Sequence, residues 1–220
     1  GVTFHDGSPL TAADVVYTFR RLRDTEGLPT TDLYSNITTI EATGDLEVTF
    51  TLSETNPFLL YDLSDNHALI VKDGTEDATD FNGTGPFRVT DYQPENRIVM
   101  EANENYFIEG QPHLQGLEII FFNEQSAAAS AVRGGQIDLT MDLSTPLYES
   151  LQEQSGLIAQ DIATNQFPSV RLRVDQPPGN DPNVIQALRL ATDREEIYQL
   201  VQQGYGAVGR DSPIGPLFSE

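Results

Sequence analysis

Phe4-His5-Asp6-Gly7-Ser8-Pro9-Leu10-Thr11-Ala12-Ala13-Asp14-Val15-Val16 is the stretch on which the fold turns. Asp-Gly-Ser-Pro reads as a connector that needs glycine for an unusual backbone angle. Thr11 with Asp14 three residues on is a capping-box pattern, and Asp14 falls in the positive first turn of the helix it opens. Val15, Phe19 and Leu22 then recur at helical spacing, while Arg20, Arg21 and Arg23 complement the carboxyl end. The pattern predicts a helix over 11–23, entered from a strand-like segment.

Beyond that helix, Ile37 to Ala42 followed by Gly44-Asp45 and the alternating Leu46, Val48, Phe50 and Leu52 predict a hairpin. From Asp73 to Gly85 the chain turns polar and glycine-rich, which marks a boundary or a crossover. Strands are expected over Pro86–Tyr92 and Arg97–Glu101 around a Gln93-Pro94-Glu95-Asn96 turn, and a buried one over Leu117–Phe122. An alanine-rich helix from about Glu124 to Arg133 should stop at Gly134-Gly135. Further strands are expected over Ile137–Met141, Leu157–Ala163 and Val170–Val174, with a short helix over Pro146–Gln152. Asp181-Pro182 opens a helix whose buried face would be Val184, Leu188 and Ala191. Thr192 with Glu195 caps another helix, carrying Ile197, Leu200 and Val201 and closed by Gly204. Alternating strands and helices argue for an α/β protein with mixed sheets.

Length and charge narrow the functional classes. The 220 residues suffice for one large domain or two small ones. There are 34 acidic residues against 12 basic ones, for a net charge of −22, and the single lysine is Lys72. Such a charge repels nucleic acid and anionic lipid, so neither is an expected partner. The acids are scattered through every element rather than gathered into ligand loops, which fits a surface suited to molar salt. No apolar run reaches the length of a bilayer span. The absence of cysteine excludes disulfides, thiolate metal sites and a cysteine nucleophile. The chain lacks an initiator Met and opens inside a motif, so an excised internal fragment is expected.

Catalytic signatures are missing: there is no HExxH, GxSxG or P-loop pattern. Gly83-Thr84-Gly85 lacks the third glycine of a dinucleotide fingerprint and runs into Pro86, which has no N–H for a phosphate. His5, His67 and His113 have no ligand-like spacing, and Asp62, Asp65 and Asn66 begin a calcium-loop pattern that is never completed. No metal and no cofactor are expected. Asn36-Ile37-Thr38 and Asn82-Gly83-Thr84 are glycan acceptor sequons.

Five segments, in order, resemble the family 5 extracellular solute-binding proteins, which bind oligopeptides, dipeptides or nickel for ABC importers. Phe4 to Val16 matches the family's aromatic-x-Asp-Gly-x-Pro-Leu-Thr-Ala-x-Asp-Val signature, and Gly83 to Phe87 its Gly-Thr-Gly-Pro-aromatic stretch. Glu101 to Phe107 is similar to Glu-x-Asn-x-x-Tyr, and Arg133 to Asp138 to the Gly-Glu-Ile-Asp strand. Val184 to Ile197 resembles the Val-Arg-x-Ala-Leu-x-x-Ala-x-Asp-Arg-x-x-Ile helix pair.

This resemblance implies part of a mixed-sheet, two-lobed periplasmic-binding-protein-like fold with an extra subdomain. Residues 1–80 would be the extra subdomain, 81–168 part of the first lobe and 169–220 the start of the second. It implies a monomeric binding protein, not an enzyme, that captures a peptide or similar small solute by lobe closure and passes it to membrane permease subunits. The stretch aligned with ligand-lining backbone is Met141, Asp142, Leu143 and Ser144. Met141 and Asp142 depart from the aromatic and asparagine residues often found there, and a plain strand end is an equal reading of these four. Expected surroundings are the cell surface, with a lipid anchor upstream, in a halophilic archaeon. Alternatives are the same fold holding a nickel chelate, haem or sugar, a sensory receptor partner, and, from another class, a secreted carboxylate-dependent hydrolase.

Overall fold

Thr11 and Asp14 form the expected box: the Asp14 carboxylate takes the Thr11 backbone N–H at 2.7 Å and its hydroxyl at 2.9 Å. This cap starts helix α1, Ala12–Asp24. The computed structural model describes residues 1–76, 79–162, 164, 166 and 169–208. They form two compact units, Gly1–Phe121 and Phe122–Glu220, the second counted to the chain end.

In the first unit α1 lies on a hairpin of β1, Ile37–Gly44, and β2, Glu47–Leu52, with a single-turn helix α2, Thr30–Leu33, between. Val16, Phe19, Leu22, Tyr34, Ile37 and Ile40 make the core. Phe19 meets Tyr34 and Phe50 edge-on, with centroids 5.3 and 5.4 Å apart. Edge-on rings set the positive rim of one against the negative face of the other, which adds roughly 0.5–1.5 kcal/mol per pair to the gain from burial. The Tyr34 hydroxyl donates to the Asp62 carbonyl at 2.7 Å, anchoring a second single-turn helix, α3, Leu59–Asp62. Val16, not Val15, is the more deeply buried of the pair. Leu46 is 79% exposed, because the hairpin closes at Gly44 and Glu47 and leaves it in the turn.

Arg20 and Arg23 do more than complement the helix end. Arg20 donates to the Ile40 carbonyl at 2.8 Å, and Arg23 to the Ile37 and Thr38 carbonyls at 3.0 and 3.2 Å. Their guanidinium groups therefore satisfy backbone acceptors of β1 that lack a strand neighbour on that side.

A second sheet of the same unit runs β3, Phe87–Gln93, β4, Arg97–Ala102, and β5, Gly116–Ile120, in that order and antiparallel throughout. Glu95 supplies the left-handed residue of the β3–β4 turn, with φ at 60°. The run Leu117–Phe122 forms β5 as expected but is not buried: Ile119, Ile120, Phe121 and Phe122 are all exposed.

The second unit holds α4, Gln125–Arg133, and α5, Thr145–Gln152, packed through Ala129, Val132 and Leu151. Gly134 caps α4 and Gly135 follows at φ 68°, the left-handed position expected after a helix. The strands expected over Ile137–Met141, Leu157–Ala163 and Val170–Val174 do not form among the described residues, and Ala163 lies outside them. Apolar content alone does not make a strand; a ladder partner does, and these stretches have none here. Ile158 and Val170 are accordingly 95% and 94% exposed.

Helix α6, Pro182–Ala191, begins at Asp181, whose side chain accepts the Asn183 N–H at 2.8 Å. Val184 is half-buried, but Leu188 and Ala191 are exposed, so the expected apolar face is not covered. The next helix is capped by Asp193, not Thr192: Asp193 takes the Glu196 N–H at 2.9 Å, while the Thr192 hydroxyl turns back to the Leu188 carbonyl. That helix, α7, Arg194–Ile197, widens into a π turn over Tyr198–Gln202 before Gly204.

Candidate functional site

Met141, Asp142, Leu143 and Ser144 lie in the irregular link that leads into α5. Gln125, the first residue of α4, holds this link by both ends of its amide. Its Nε2 donates to the Asp142 carbonyl at 2.5 Å, and its Oε1 accepts the Ser144 N–H at 3.0 Å. Asp142 sits at φ 57°, a left-handed conformation uncommon for a residue with a side chain. Leu143 packs on Ala129, Val132 and Leu151, and Ser144 caps α5. Met141 is 73% exposed and Asp142 is exposed. The backbone groups of Met141 and Leu143 take no hydrogen bond among the described residues.

The link therefore has one face anchored by Leu143 and Gln125 and main-chain donors and acceptors left open beside it. Such an edge can receive another extended chain through backbone hydrogen bonds, without reading side chains. Sequence reasoning pointed to these four residues but missed Gln125. A glutamine at the start of a helix carries no pattern, and its role appears only once the chain folds back 17 and 19 residues later.

Three of the motifs quoted above meet at one point in the first unit. His5 Nε2 lies 3.0 Å from the Gly85 carbonyl, which also accepts from Asn103 Nδ2 at 3.0 Å. The Gly83 N–H points to His5 Nδ1 at 3.3 Å, and the His5 N–H donates to the Gly83 carbonyl at 2.8 Å. Nδ1 also lies 3.3 Å from the Phe81 carbonyl, so the ring is held by the backbone of Phe81, Gly83 and Gly85. The Asp6 N–H donates to Asn82 Oδ1 at 3.1 Å, and Lys72 pairs with Asp6 at 2.7 Å. That lysine, with the Ser8 hydroxyl and N–H, holds the Asp6 carboxyl far below the ordinary carboxylate range. Lys72, Asn82, Gly83 and Gly85 are thus tied to the opening turn by hydrogen bonds. Gly83 and Gly85 are not in left-handed conformations, and a Cβ would find room at either. Gly7, at φ 85°, does need its freedom.

Among the described residues no carboxyl has a raised pKa. The carboxylates that shift, Asp6, Asp14, Asp24, Asp65 and Asp175, all go down, opposite to the raised partner a hydrolytic pair needs. Asp62 and Asp65 are spent on local turns, accepting from Asn56 Nδ2 and from the His67 N–H and ring. Among the described residues no cluster could hold a metal ion, and no helix is long and apolar enough to cross a membrane.

The family model described as "Bacterial extracellular solute-binding proteins, family 5 Middle" matches residues 1–220. The oligopeptide-binding protein AppA of Bacillus subtilis is 29% identical over 232 residues, which cover 99% of this chain and 42% of AppA. The solved structure of AppA in complex with a nonapeptide is 27% identical with a TM-score of 0.75, covering 93% of this chain and 43% of that one. NikA from Staphylococcus aureus in complex with Ni(L-His)2 has a TM-score of 0.81 at 20% identity, covering 98% and 45%, a likeness of fold alone. The chain thus spans about two fifths of the length of AppA. Its architecture is that of part of a periplasmic-binding-protein-like α/β fold. The match along the whole sequence and the likeness of fold lead to one conclusion: the chain belongs to the family 5 extracellular solute-binding proteins, a family of binding proteins and not of enzymes.

Proposed function

We propose that this chain is part of the substrate-binding component of an ABC importer that captures peptides outside the membrane and hands them to permease subunits. The observation that carries the reading is the open main-chain groups of Met141–Ser144, in a link that Gln125 holds at the Asp142 carbonyl and the Ser144 N–H. A peptide offers the complementary row of N–H and C=O groups, and main-chain pairing accepts many sequences. AppA, similar along the length of this chain, is an oligopeptide-binding protein, and its structure holds a nonapeptide. In this reading residues 1–80 are the extra subdomain, 81–168 part of the first lobe and 169–220 the start of the second. Ligand contacts made only when the lobes close shift the population to the closed form, which the permease recognises. The protein would act as a monomer without a cofactor, tethered at the surface of a halophile by a lipid anchor.

The test is mass spectrometry of whatever co-purifies with the full-length protein in high salt and is released by denaturation. A heterogeneous set of short peptides is the expected result. A single nickel chelate, haem or sugar keeps the clamp and overturns the peptide assignment.

A further inference from the structure

Two glycan acceptor sequons occur in the first unit, and the fold treats them oppositely. At Asn36-Ile37-Thr38 the acceptor residue leads into β1. The Asn36 Oδ1 is shut away from solvent without a hydrogen-bond partner. Ile37 is 2% exposed, and the Thr38 hydroxyl is committed to the Thr51 carbonyl of the neighbouring strand at 2.9 Å. The hydroxyl that recognition of this sequon would use is thus spent within the hairpin.

Asn82-Gly83-Thr84 has the other geometry. The Gly83 N–H bonds the Phe81 carbonyl at 3.0 Å, which puts Asn82 at the apex of a three-residue turn. Its Oδ1 accepts the Asp6 N–H at 3.1 Å. That bond occupies Oδ1 and leaves Nδ2 with no partner among the described residues. Asn82 and Thr84 are both partly exposed, and the Thr84 hydroxyl has no hydrogen-bond partner among the described residues. An N-linked glycan uses Nδ2 and keeps Oδ1, so the bond to Asp6 survives the modification.

We propose that Asn82 is an N-glycosylation site and that Asn36 is not. This rests on the extracytoplasmic reading above, because the donor is a lipid-phosphate-linked oligosaccharide presented at the outer face of the membrane. In the transfer Asn82 Nδ2 bonds to the anomeric carbon of the first sugar. The bond from that carbon to the phosphate oxygen breaks, the lipid phosphate leaves with the electron pair, and Nδ2 releases one proton. Thr84 supplies the hydroxyl that recognition of the sequon requires.

The test is peptide mapping by mass spectrometry of the full-length protein recovered from the outer surface of its native cells. The expected result is a sugar mass increment on the Asn82 peptide and none on the Asn36 peptide. Asn82→Gln and Thr84→Ala should each abolish the increment, Thr84→Ser should retain it, and Asn36→Gln should leave it unchanged. Thr84→Ala leaves the Asn82 bond to Asp6 intact, so it serves where Asn82→Gln fails to fold. Protein at the cell surface with bare Asn82 overturns the site assignment alone, as does sugar on Asn36. Protein confined to the cytoplasm overturns the extracytoplasmic reading, and the site with it.

Discussion

Asp14 joins two segments 59 positions apart: one carboxylate oxygen closes the Thr11 cap at 2.7 Å and the other accepts the backbone N–H of Asp73 at 2.8 Å. The residue is 5% exposed. Burial pushes its carboxyl up, yet the N–H groups of Asp73 and Thr11 and the Thr11 hydroxyl outweigh it and leave the group below its ordinary value. A carboxyl depressed on folding stabilises the folded state fully above its unfolded pKa of about 3.9, and the gain fades as pH falls through the folded value. Asp14→Asn should therefore cost about 1.5–3 kcal/mol at neutral pH and flatten the loss of stability below about pH 4. Urea unfolding midpoints of both proteins from neutral to acid pH check this; parallel acid limbs would contradict the assignment.

Two glycines should respond oppositely to alanine. At Gly116 a Cβ would lie 2.6 Å from the Met100 carbonyl oxygen on the neighbouring strand, and backbone cannot move aside cheaply. Gly116→Ala is expected to cost about 1–3 kcal/mol. At Gly85 a Cβ meets nothing within 4 Å, so Gly85→Ala should stay within about 0.5 kcal/mol of the parent even though it lies in a diagnostic motif. Thermal melts of the two variants decide the point.

Gln125→Ala removes both bonds that hold the 142–144 backbone. If that backbone receives the ligand, the variant must order it on binding, and the dissociation constant for peptide should rise about 5- to 30-fold, equivalent to roughly 1–2 kcal/mol. Titration calorimetry on the full-length protein measures it, with amide exchange at Ser144 as the local readout. Faster exchange at Ser144 with unchanged affinity would remove these four residues from the binding site.

The net charge of −22 sets a strong salt dependence. Screening shortens the reach of repulsion to about 3 Å at 1 M salt, so the melting temperature should climb from low salt to molar salt. If screening alone is responsible, sodium and potassium chloride should raise it alike. A flat salt response would dismiss the acidic surface as an adaptation to brine.

The first unit was largely legible in the sequence because its signals are local. Thr11 and Asp14 cap a helix from three residues apart, and Leu52 pairs back to Ile37 through a hairpin turn. The second unit was less legible. Ile158 and Val170 have the composition of strands, but a strand is completed by a neighbour, and none is present among the described residues. Thr192 and Asp193 are adjacent and both can cap; only the folded geometry shows that Asp193 accepts the Glu196 N–H. At the candidate site the reading stopped at residues 141–144, because Gln125 acts on them across a whole helix.

The knot of His5, Gly85 and Asn103 has a practical consequence for anyone moving this unit between proteins. A graft that carries the opening turn without the segments around Gly85 and Asn103 would separate the imported histidine from the carbonyl it meets here, and leave that carbonyl in the donor protein with the asparagine alone. Chimaeras should therefore exchange residues 4–103 as one cassette, with crossovers placed outside it. Among natural relatives, substitutions at positions 5 and 103, whose side chains share the one carbonyl, should be inherited together.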